Sequence, residues 1–185
     1  MKTFVRIGVV TVVLLLAGVL VAWSGTYDVA ADVPHWRLTQ AIMQVVRTQS
    51  VAVHSGGIEI PADLGSQKRI AAGATEYAEM CTGCHLAPGE ASTELRDGLY
   101  PQPPDLTKRT TRDPRAAFWI VKHGIKMTAM PAWGKSHDDQ TIWSMVAFVQ
   151  KLPDMTPQQY RAATAHANPE AHEHHHMGAA SHSHE

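Results

Sequence analysis

The sequence predicts an all-α chain: one apolar helix at the N-terminus, followed by a domain of three main short helices. Two observations predict this, and a third follows from them. Capping and stop residues bracket three stretches of helical periodicity between Ser66 and Leu152. No run alternates apolar and polar residues as a half-buried strand does. Three short helices are also a thin basis for a stable core, so a large apolar group should complete it.

The first element is the run Ile7 to Trp23, which holds no charged residue and follows Lys2 and Arg6. A run of this length crosses a bilayer as one helix, and the positive flank before it places the remainder outside the cytoplasm. A cleaved signal peptide, cut after Ala22-Trp23-Ser24, is the competing reading. The anchor is favoured because the apolar run exceeds a usual signal core. Either way the rest is exported: on the inner membrane facing the periplasm if the chain is bacterial and uncleaved, soluble in the periplasm if cleaved. Residues 1–25 are thus an anchor or signal segment, and residues 26–65 a stalk.

Within the stalk, Asp32 is a candidate cap, Pro34 suits a first helical turn, and Gly56-Gly57 ends the helix. Trp36, Ile42, Val45, Val46 and Val53 give it a partly apolar face, suited to lying on the membrane surface or the domain, or to docking a partner. "GIEIPADLG" reads as an extended linker. The domain then spans residues 66–152. Its first helix is capped by Ser66 and carries Ile70, Gly73, Ala74 and Tyr77 on one stripe. The second has Asp113 as cap, Pro114 at its first position and Gly124 as its stop. The third has Ser136 and Asp139 in capping-box spacing, a stripe of Ile142, Met145, Val146 and Val149, and Pro153 past its end.

"CTGCH" supplies the missing apolar group. Cys81 and Cys84 are the chain's two cysteines, three apart on one helical turn, with His85 next. Both thiols can reach the edge of a flat macrocycle while the imidazole points at its metal, which is why C-x-x-C-H reads as covalent c-type haem attachment. A thioredoxin-like pair would sit near a strand-helix-strand pattern, which is not visible. A zinc site would need a fourth ligand from elsewhere, with His85 awkwardly adjacent to Cys84.

A haem ligated by one histidine has a second axial position, where a methionine thioether favours reduced iron. "TAMPAWG" offers one: Pro131 stiffens the chain beside Met130, and Trp133 presents a flat apolar wall. Met127 lacks that scaffold and suits a packing or rim position, so Met130 is the favoured ligand.

With these motifs in place, residues 66–152 resemble a class I c-type cytochrome of the small bacterial mono-haem kind. They share a helix running into CxxCH, the proline-rich loop "YPQPPDLT", a middle helix, an "MP" loop and an apolar, aromatic last helix. The resemblance implies the cytochrome c fold around one covalent haem c, and electron transfer between redox partner proteins rather than catalysis. It implies a crossing of first and last helices, with Gly73 and Tyr77 against Trp143 and Phe148. It also implies that a loop proline carbonyl, from Pro103 or more favourably Pro104, accepts a hydrogen bond from the axial histidine. A haem enzyme or gas sensor with a labile sixth ligand is the alternative.

Net charge of −1 argues against a nucleic-acid binder. From Lys108 to Lys135 there are seven Lys or Arg and one acid, Asp113, a local net of +6 that would steer an acidic partner. Residues 153–185 read as a disordered tail holding seven of the twelve histidines. His172, His174, His175, His176, Met177, His182 and His184 make a ligand set suited to copper, nickel or zinc. A metal-binding protein acting through this tail is a further reading; a tag or a tolerated low-complexity end is the plainer one.

Overall fold

The computed structural model describes residues 2–165. Among the described residues the regular structure is helical throughout, with eight α-helices and no strand. The chain divides into two units, Met1–Pro34 and His35–Glu185. In the first, helix α1 (Lys2–Trp23) has 22 residues and no buried side chain, and is long and apolar enough to cross a membrane. At 1.5 Å per residue it spans about 33 Å, against about 30 Å of bilayer hydrocarbon.

The second unit opens with α2 (Arg37–Ser55), which starts later than Asp32 and Pro34 suggest. The His35 amide donates instead to the Tyr100 hydroxyl at 3.1 Å, and Val33 closes a turn on the Ala30 carbonyl at 3.2 Å, so the chain is still in loop geometry there. Of the three roles open to its apolar face, packing on the domain is not the one the structure shows. Val51 and Ser55 are the buried residues of α2, while Ile42, Val45, Val46 and Val53 are exposed. Nor is the segment after α2 a free linker, since Ile58 and Leu64 pack against the core and Asp63 pairs with Arg69 at 3.0 Å.

Helices α3 (Gln67–Met80) and α7 (Asp139–Val149) cross at the centre of this unit. Ser66 caps α3, its hydroxyl accepting from the Arg69 amide at 3.3 Å. The crossing is close because Gly73 has no side chain: a Cβ there would meet the Ser144 carbonyl oxygen at 1.9 Å. One turn on, Tyr77 packs its ring 5.5 Å from Phe148 and donates its hydroxyl to the Leu86 carbonyl at 2.7 Å. Such an aromatic pair adds about 0.5–1.5 kcal/mol beyond its area burial. Trp143 is not at this crossing. It stacks on Phe118 of α6 (Pro114–His123), centroids 4.2 Å apart, because successive α7 residues face different neighbours. Every residue from Ile142 to Val149 is buried, so α7 is the central helix rather than a one-faced one.

The start of α7 is capped by Asp138, which accepts from the Thr141 amide at 2.8 Å, in place of the expected Ser136. The Ser136 hydroxyl is already used by the Trp133 carbonyl at 3.3 Å and His137 Nδ1 at 2.9 Å. The structured chain also continues past Leu152. Helix α8 (Pro157–Thr164) opens with a Thr156/Gln159 capping box and buries Tyr160 beside Tyr77 and Phe148. The tail boundary at residue 153 therefore falls one helix early.

Candidate functional site

Cys81 ends α3, and a single turn, α4 (Thr82–His85), carries the rest of the motif. The His85 and Cys84 amides both donate to the Cys81 carbonyl, at 2.8 and 3.2 Å, so the two cysteines and the histidine sit on one tight turn. The thiols are free and half-buried. Burial pushes the Cys81 thiol up to about 12, and the neighbouring Cys84 and Glu76 push the same way. The thiol form of Cys81 is favoured there, which opposes a redox nucleophile.

After His85 the chain turns sharply. Leu86 adopts φ of 67°, tolerated because its side chain is buried and its carbonyl accepts from Tyr77. The proline-rich loop then returns to the motif, the Leu106 amide donating to the His85 carbonyl at 3.3 Å. This brings the Pro104 carbonyl within 2.8 Å of His85 Nδ1. A carbonyl only accepts, so Nδ1 carries the proton and Nε2 presents its lone pair. Burial holds the ring below its ordinary range; the Pro104 bond works against this and the Arg96 charge adds to it. The imidazole is thus kept neutral, as a metal ligand must be. Arg96, from the short helix α5 (Glu94–Asp97), donates to the Pro103 carbonyl at 3.0 Å and so ties the same loop. Sequence reasoning missed this contact, as nothing local in the chain signals it.

The methionine loop leaves α6 at Gly124, whose φ of +66° ends the helix. It closes on itself: the Ile125 amide donates to the Met130 carbonyl at 3.3 Å, Thr128 Oγ1 to the Ile125 carbonyl at 2.8 Å, and the Met130 amide to Thr128 Oγ1 at 3.1 Å. Met127 rides at the tip with φ of 59° and 79% exposure, whereas Met130 is half-buried. Trp133 begins a 3-10 turn (Trp133–Lys135), its ring 5.5 Å from that of His137. There Gly134 lies against α6, a Cβ on it meeting the Lys122 carbonyl oxygen at 2.9 Å.

Residues 68–149, which contain all of these features, match the family model described as cytochrome C oxidase, cbb3-type, subunit III. The chain carries a c-type cytochrome domain. The chain matches no curated protein and no solved structure. The all-helical structure fits the cytochrome c fold, and the domain implies haem c and a haem-based electron-transfer role.

The cytochrome domain's own residues fit that group. Its buried apolar residues form two separate clusters rather than one. The first, built on Tyr77, Phe148 and Leu152, has Cys81 and Leu106 on its edge; the second is built on Phe118, Ile142 and Trp143. Two thiols on one turn and an imidazole with a free Nε2 suit thioether links and an axial ligand. Among the described residues no group of three or more His, Cys, Asp or Glu is placed to hold a metal ion by itself. His172, His174, His175, His176, Met177, His182 and His184 lie outside the described residues.

The basic window is partly neutralised in the cytochrome domain. Lys108 pairs with Asp105 at 2.9 Å, Arg115 with Asp113 at 3.4 Å, and Lys122 with Asp139 at 2.6 Å. Arg109, Arg112, Lys126 and Lys135 are exposed and make no ion pair among the described residues. Lys126 and Lys135 flank the methionine loop in sequence.

Proposed function

We propose that this chain is an exported electron carrier, a mono-haem cytochrome c tethered to the membrane by α1 with its haem domain in the periplasm. Cys81 and Cys84 would hold the haem through thioethers, and His85 through Nε2 and Met130 through its thioether sulfur would ligate its iron. Haem c supplies a one-electron iron couple when bound. The chain's work is to fix the ligands and exclude water.

The observation that carries the reading is the 2.8 Å bond between His85 Nδ1 and the Pro104 carbonyl. It sets the tautomer and the ring orientation, the usual second-layer support for a ligating histidine. Met130 is preferred to Met127 because its backbone is fixed at both amide and carbonyl, while Met127 stands in solvent. A thioether ligand raises the potential and fills the sixth position, which suits a carrier rather than a catalyst of small-molecule chemistry. Trp133, shortly after the methionine-proline pair, would offer the haem a flat apolar wall. Exposed Lys126 and Lys135 favour acidic redox partners. The matched family's description names an oxidase subunit, which favours electron delivery to or within an oxidase.

Covalent attachment is tested on the full-length, haem-loaded protein by denaturing electrophoresis with haem staining. The parent keeps its haem on the polypeptide, and the Cys81→Ala, Cys84→Ala double variant loses it. Haem that leaves the denatured parent contradicts the reading.

A further inference from the structure

Helix α2 presents its apolar side to solvent. Leu38 is 73% exposed, Ile42 53%, Val45 61% and Val53 73%. At 100° per residue these four fall on one side of the helix. The domain does not use that side: the residues of α2 that it buries are Val51 and Ser55, and His54 lies 5.7 Å from Trp119 of α6. An exposed apolar row of this kind marks an interaction surface.

Charge and tether length identify the occupant. The 19 residues of α2 include no acid, and their formal charges are Arg37 and Arg47, both exposed. Trp36, with its amphipathic ring, immediately precedes the helix, and tryptophan is favoured at a membrane–water boundary. Between Trp23 and Arg37 lie residues 24–36, so α2 begins at most about 45 Å along the chain from the end of α1. Given the reading of α1 as a membrane anchor, on which this inference rests, a lipid surface is always within reach of the exposed row.

We propose that α2 is an interfacial helix, with Leu38, Ile42, Val45 and Val53 seated in the headgroup and acyl boundary of a bilayer containing anionic lipid. The apolar row supplies area, and the arginines supply attraction without any acid to oppose it. The domain packed on the other side of α2 is then held at the membrane surface and does not swing freely on its tether.

The test uses the full-length, haem-loaded protein in nanodiscs of mixed phosphatidylcholine and phosphatidylglycerol. A nitroxide is placed in turn at Ile42→Cys, Gln44→Cys and Leu15→Cys, and collisions with lipid-soluble oxygen and with a water-soluble nickel chelate are compared. The expected result is an oxygen-to-nickel ratio at Ile42→Cys several-fold above that at Gln44→Cys, approaching that at Leu15→Cys. A ratio at Ile42→Cys equal to that at Gln44→Cys overturns the proposal while leaving the anchor intact. A label at Ile42→Cys shielded from both reagents and coupled to its twin in a second copy also overturns it, assigning the row to a dimer. A nickel-accessible Leu15→Cys label removes the anchor reading, and with it the tether on which the inference rests.

Discussion

Gly124 lies directly against the backbone of Met130: a Cβ on the glycine would come within 2.6 Å of the Met130 carbonyl oxygen and 2.8 Å of the Pro131 carbonyl. Its φ of +66° also belongs to the left-handed region that side chains disfavour. One residue thus ends α6 and lets the methionine loop fold back onto the helix end. Gly124→Ala should displace the loop, costing about 2 kcal/mol in denaturant unfolding. In the same variant, carbon monoxide should bind the reduced protein where it does not bind the parent. A variant of parental stability that still excludes carbon monoxide would show that the loop is not held this way.

The helix crossing is more demanding. A Cβ on Gly73 would sit 1.9 Å from the Ser144 carbonyl oxygen, and two buried helix backbones have little room to part. Gly73→Ala should lose about 3 kcal/mol, measured by guanidinium unfolding. A loss below about 0.5 kcal/mol, the range of a surface substitution, would mean that α3 and α7 do not approach this closely.

Much of this arrangement is legible in the chain because its signals are local. Ser66, and Asp113 with Pro114 and Gly124, each bracket one helix, and each serves in the structure as the sequence implies. The contacts that shift elements are not local. Ser136 looks like a cap until its hydroxyl is taken by Trp133 and His137, which moves the role to Asp138. The apolar row of α2 suits the membrane surface, the domain or a partner equally, and only the fold shows that the domain packs against Val51 and Ser55 instead. Helix α8 could have been read from Thr156, Pro157 and Gln159, a capping box with proline at the first position. It was obscured by the polar, histidine-rich sequence that follows. The Arg96 contact with Pro103 depends on tertiary approach alone.

Acid should weaken the domain partly through Asp138. The Thr141 backbone and side chain hold its carboxyl below the ordinary value of 3.8. A folded value below the unfolded one means that the unfolded chain takes up the proton first, so the contribution is complete above 3.8 and is lost as pH falls through the folded value. Asn caps as well as Asp but does not titrate there. Asp138→Asn should therefore match the parent's stability near neutrality and lose less of it between pH 4 and pH 2, followed by urea unfolding at each pH. Identical acid slopes would remove Asp138 from the account.

The exposed lysines flanking the methionine loop should control reaction with charged partners. Replacing Lys126 and Lys135 together by Glu should slow oxidation of the reduced protein by ferricyanide about tenfold at low ionic strength. It should speed oxidation by a cationic cobalt complex, and both effects should shrink in high salt. Equal rates for parent and variant with both reagents would place the electron-exchange edge elsewhere.

The central claim is that Met130 completes the iron coordination begun by His85. It is tested most directly by the absorption spectrum of the oxidised, haem-loaded full-length protein, for the parent, Met127→Ala and Met130→Ala. The account predicts a weak long-wavelength sulfur-to-iron band in the parent and in Met127→Ala that disappears in Met130→Ala. A band absent from the parent, or surviving the loss of Met130, would contradict it.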